Sequence, residues 1–67
     1  MNEEDVLRQW LELKTMVEIL DIDVTKNANG NVSAGIRARR GLRELRAVTS
    51  ALIMTTLKAQ KTRAAKK

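Results

Sequence analysis

The chain has 67 residues, 43% of them hydrophobic and 31% charged, with thirteen Lys or Arg against eight Asp or Glu. It contains no His and no Cys, and one aromatic residue, Trp10. This excludes disulfides and leaves little from which to build a zinc site, a general base near neutrality or a lined substrate pocket.

The net charge of +5 divides unevenly. Residues 1–31 hold seven acids and three bases, a net −4, whereas residues 32–67 hold ten bases and one acid, a net +9. Such polarity points to a polyanionic partner for the second half, with a merely solvated basic face as the plainer reading. The acidic amino end, Glu3-Glu4-Asp5, is unlike a secretory peptide. No apolar run approaches the ~20 residues of a membrane helix. An intracellular, cytoplasmic protein is expected.

Asn2 is a suitable helix N-cap, and acids at positions 3 to 5 suit the positive end of a helix dipole. From there Val6, Trp10, Leu13, Val17, Leu20 and Val24 alternate steps of four and three, which predicts an amphipathic helix over 3–26 with Trp10 in its seam. Leu7, Leu11, Met16 and Ile19 lie outside that seam and widen the apolar surface. The run Lys26-Asn27-Ala28-Asn29-Gly30-Asn31 is the one turn signal. Gly30 or Asn29 can end the first helix in a left-handed residue, and Asn31 or Ser33 can cap the second. A loop over 27–31 returns the chain antiparallel.

A second helix is predicted over 32–60, followed by a basic tail at 61–67. Wound at about 100° per residue, Ala34, Ala38, Gly41, Leu45, Val48 and Leu52 share one narrow sector. Arg39, Arg40, Arg43 and Arg46 fall on the opposite arc, with Arg37 at the boundary. Gly35 and Gly41 each cost about 1 kcal/mol against Ala inside a helix. Beside Ala34 and Ala38 they read as a close-packing strip. The architecture expected is all-α, an antiparallel two-helix hairpin. One seam leaves Leu7, Leu11, Met16, Ile53, Met54 and Leu57 to be covered by a second copy, giving a homodimeric four-helix bundle.

The arginine row is the one pattern that carries chemistry. Guanidinium groups make forked hydrogen bonds to phosphate oxygens and stay charged at physiological pH. Five within ten residues, about 15 Å of helix, can follow a nucleic-acid backbone. No Asn or Gln lies between positions 34 and 59, so base reading is not expected. The plainer reading pairs Arg39, Arg40, Arg43 and Arg46 with Glu12, Glu18, Asp21 and Asp23 of the facing helix. Lys58, Lys61, Arg63, Lys66 and Lys67 add reach to the same surface or simply aid solubility. No nucleophile–base pair, Gly-rich phosphate loop or paired carboxylate is visible. The chain is not expected to be an enzyme or to take a cofactor, a metal or a small-molecule substrate.

Gly30 to Arg46, GNVSAGIRARRGLRELR, resembles the short proteins of the chlamydial linker-histone-like family. The resemblance rests on Gly30, Asn31, Ala34, Gly35, Arg37, Arg39, Arg40, Leu42 and Leu45. It implies a histone-like, nucleoid-associated DNA-binding protein. Val48 to Leu57 is richer in apolar residues than is usual for that family, which favours self-association or burial in a larger particle. The function expected is therefore sequence-nonspecific DNA binding that compacts or bends the duplex. The alternative is a small structural adaptor docking by its apolar helix surface in a larger assembly such as a virion.

Overall fold

The computed structural model describes residues 3–65, with side chains over 4–62. Two helices, α1 (Glu3–Ala28) and α2 (Val32–Ala65), pack against each other as a hairpin, with no strand among the described residues. Asn2, the expected cap of α1, lies outside that range.

The turn is tighter than the 27–31 loop expected. Asn31 N donates to Lys26 O at 3.0 Å and Gly30 N to Asn27 O at 2.9 Å, while Gly30 sits at φ 99°. This is a Schellman ending, with its left-handed glycine just past the helix. Its acceptors are the carbonyls of Lys26 and Asn27, so these residues stay helical and α1 runs two residues past 26. Asn31 Oδ1 then accepts from Ala34 N at 2.9 Å, which caps α2. Asn27 Nδ2 donates to Asn31 O at 3.2 Å and ties the two helix ends together.

The seam of α2 follows the expected positions and continues through Thr55 and Ala59. Ala34, Ala38, Thr55 and Ala59 are buried, and Gly41, Leu45, Val48 and Leu52 are half-buried. The Thr55 hydroxyl is satisfied by Ala51 O at 3.0 Å, so its burial leaves no unpaired donor. Both helical glycines mark close approach: a Cβ on Gly41 would overlap the Leu20 side chain, and one on Gly35 would overlap Asn27. They are packing positions, as the sequence indicated, and not breaks.

The seam of α1 differs from expectation. Val6, Gln9, Leu13, Met16, Leu20 and Asp23 face α2, whereas Trp10, Val17 and Val24 are 46%, 51% and 43% exposed. Relative to the expected stripe, α1 is turned by about 50°, half of one residue's step. The glycine strip gives the reason. The shallow surface at Gly41 accepts Leu20, Asn27 fits against Gly35, and Asp23 Oδ1 accepts from Arg37 Nε at 3.1 Å. Those three contacts fix the rotation, and the apolar steps at 10, 17 and 24 are left outside. Met16, expected on the outer surface, is instead drawn partly into the seam.

The molecule measures 55 × 15 × 12 Å, with a radius of gyration of 15.7 Å. A compact chain of this length would have about 11 Å. Among the described residues no large side chain is fully buried, and thirteen large hydrophobic residues are at least 43% exposed.

Candidate nucleic-acid interface

α2 is straight-patterned helix through the whole arginine segment, so residues 36–46 keep the helical placement that separates the seam from the basic arc. Arg37, Arg39, Arg40, Arg43 and Arg46 are all exposed. Their spacing does not make one uniform row. Arg39, Arg43 and Arg46, at steps of four and three, enclose a shallow hollow floored by Leu42. Arg37 and Arg40 turn to the other flank, where they line a groove with Met16, Ile19, Asp23 and Glu44.

The two groups differ electrostatically. Arg37 is engaged by Asp23 across the hairpin. Among the described residues Arg39, Arg40, Arg43 and Arg46 form no ion pair with a carboxylate. The pairing expected of the plainer reading, at Arg39, Arg40, Arg43 and Arg46, is therefore not seen among the described residues; the pair across the hairpin is at Arg37, which that reading left out. Exposed pairs of this kind contribute less than about 1 kcal/mol, so Arg37 can exchange Asp23 for another anion at small cost.

Leu42, one of the residues that carry the family resemblance, was not placed with the arginines by the sequence reading. Its signal lies in the step of three and four from Arg39 and Arg46, which makes it the floor between guanidinium groups rather than part of the seam. Lys58 and Lys61 continue the exposed basic character along α2, which remains helical through Ala65. Between Arg46 and Lys58 the outer surface is uncharged, with Ile53, Met54 and Leu57 exposed beside Thr49, Ser50 and Thr56. Lys66 and Lys67 lie outside the described residues, as does the Arg63 side chain.

The arrangement offers concentrated positive charge on one arc of α2. No helix among the described residues is long and apolar enough to cross a membrane. A nucleic-acid backbone is the ligand class that an uncompensated guanidinium cluster on a rigid helix fits.

The chain matches the family model described as histone H1-like protein Hc1 over residues 9–52, which is 44 of its 67 residues. It belongs to the Hc1 histone H1-like family. The match runs from Gln9 in α1 through the turn to Leu52 in α2, so it includes the whole arginine segment and the seam that supports it. It ends before Ile53, Met54 and Leu57. No curated protein and no solved structure matches the chain. Hc1 histone H1-like proteins are DNA-binding, nucleoid-associated structural proteins and not an enzyme family.

Proposed function

We propose that this member of the Hc1 family binds duplex DNA without sequence preference, through contacts from Arg39, Arg43 and Arg46 to backbone phosphates. Arg37 and Arg40 extend that surface, and Lys58, Lys61, Arg63, Lys66 and Lys67 add reach. The protein acts as a homodimer that compacts or bends nucleoid DNA, in the cytoplasm or packaged in a virion. The single observation that carries this reading is the cluster of exposed arginines around Leu42 without carboxylate partners among the described residues. The lack of Asn or Gln on that arc favours backbone charge over base edges.

The test is a DNA-binding titration over a range of salt concentrations. With about eight arginines of a dimer engaged, log affinity falls against log salt with a slope of about −7. A nearly salt-independent affinity, or strong preference for one sequence, would refute the reading.

A second reading is favoured by a specific observation: Ile53, Met54 and Leu57 are exposed and lie beyond the family match. In it, that end of α2 docks in a larger assembly and the arginines serve solubility or protein contacts. Ile53→Asp with Leu57→Asp then abolishes function, while charge reversal of the arginines leaves it intact.

A further inference from the structure

The hairpin exposes 5315 Å². A compact monomer of its mass would expose about 4,200 Å². The excess, about 1,100 Å², exceeds the roughly 800 Å² that each partner gives up in a standard protein–protein interface. An elongated two-helix ribbon therefore has the spare area that one stable dimer contact needs, and the question is which face supplies it.

Charge removes one candidate. The half of the chain that forms α2 carries +9, so a contact between two copies of α2 sets like charges together, and Ile53, Met54 and Leu57 lie on that helix. The first half carries −4 and is far less self-repelling. Of the seven large apolar residues of α1 exposed among the described residues, Trp10, Val17 and Val24 recur every seven residues on the flank that the 50° rotation left outside, whereas Leu7, Leu11, Ile19 and Ile22 lie elsewhere around the helix. Leu13, Lys14 and Glu18 border an apolar hollow between Trp10 and Val17, and Lys14 Nζ lies 5.9 Å from the Trp10 ring centroid.

This strip is self-complementary in one direction. A two-fold axis through Val17 sets each residue opposite the one equally far on the other side of 17. Trp10 then meets Val24 of the second copy, and Val17 meets Val17. Lys14 and Asp21 lie three before and four after the axis, so each lysine comes within about one residue's rise, 1.5 Å, of level with the other copy's aspartate. Two such pairs flank the central valines. Parallel pairing would instead set Lys14 on Lys14 and Asp21 on Asp21. We infer that a second copy of this chain docks antiparallel on the Trp10–Val17–Val24 face of α1, registered by Lys14 and Asp21. The inference rests on the homodimer reading above and specifies its surface.

The test is sedimentation equilibrium on the full chain across a concentration series, with helicity followed by circular dichroism. The wild-type chain should weigh twice its monomer mass. Val17→Asp sets two carboxylates on the axis and should raise the dimer dissociation constant at least tenfold with helicity retained, since position 17 is outside the hairpin seam. Lys14→Glu and Asp21→Lys should each weaken association by about two- to fivefold for each pair broken. The double variant, with the charges exchanged, should return to about the wild-type value. A wild-type chain that stays monomeric would overturn both the homodimer and this face. If the dimer survives Val17→Asp but is lost in Ile53→Asp with Leu57→Asp, the homodimer stands and the α1 face is wrong. Failure of the charge exchange to restore association would refute the antiparallel register.

Discussion

α1 meets its partner helix with large side chains and has more of them than the seam can take. α2 meets it with Ala34, Ala38 and Gly41 near the turn, and spends its long side chains on charge. Because small residues on one helix admit a large residue of the other at short range, Leu20 seats against Gly41 and the two axes come close where the chain turns. The price is one-sidedness: a helix that offers a narrow glycine–alanine strip can cover only one stripe of a helix with a wide apolar face. The difference teaches that in a two-helix protein the poorer face sets the rotation, and the richer face keeps a remainder for another partner.

The largest break in this contrast is electrostatic. Arg39→Glu, Arg43→Glu and Arg46→Glu together should weaken DNA binding at least about 100-fold near 0.1 M salt, with helicity intact, in a gel-shift titration. Retained affinity would remove α2 as the DNA-facing helix. Next in size is the seat itself. Gly41→Val pushes a branched side chain into Leu20 and should destabilise the hairpin by about 2 kcal/mol, read from urea unfolding at fixed protein concentration; an unchanged midpoint would show that the close approach does not set the packing.

Gly30→Ala adds a Cβ that meets nothing within 4 Å, so its effect is confined to the backbone at φ 99°. A loss of about 1–2 kcal/mol is expected, and a neutral result would mean the turn adopts another conformation. A gain sharpens the comparison from the other side. Gln9 lies half-buried in the α1 seam with its Oε1 buried and without a hydrogen-bond partner among the described residues. Gln9→Leu should stabilise the fold by about 1 kcal/mol, seen as a raised thermal midpoint. The smallest effect is at Arg37. Removing its exposed pair with Asp23 by Arg37→Ala should lower stability by less than about 1 kcal/mol; a larger loss would make that contact a structural clasp rather than an exchangeable one.

Much of this was legible in the order of residues. The α2 seam could be read from Ala34 through Leu52 because small and apolar residues recur there at helical spacing. The turn was legible because Asn-Gly-Asn supplies a left-handed residue and a cap in three positions. The exposed arginine arc followed from the arginines being opposite that seam. The rotation of α1 was not legible. Val6, Leu13 and Leu20 belong equally to a stripe completed by Trp10, Val17 and Val24 and to one completed by Gln9, Met16 and Asp23. Hydrophobicity favours the first, and it says nothing about where the facing helix has room. Nor could spacing alone reveal that Arg37 would be held by Asp23 while Arg39, Arg40, Arg43 and Arg46 formed no ion pair with a carboxylate among the described residues.

By itself the sequence determined the elements, the reversal between them and the sign of charge on each half, since periodicity, capping chemistry and formal charge are local properties. The packing of one helix on the other decided which side chains of α1 are covered and which arginines are engaged. Those outcomes depend on shape complementarity between residues far apart in the chain: Leu20 with Gly41, Asn27 with Gly35, and Asp23 with Arg37.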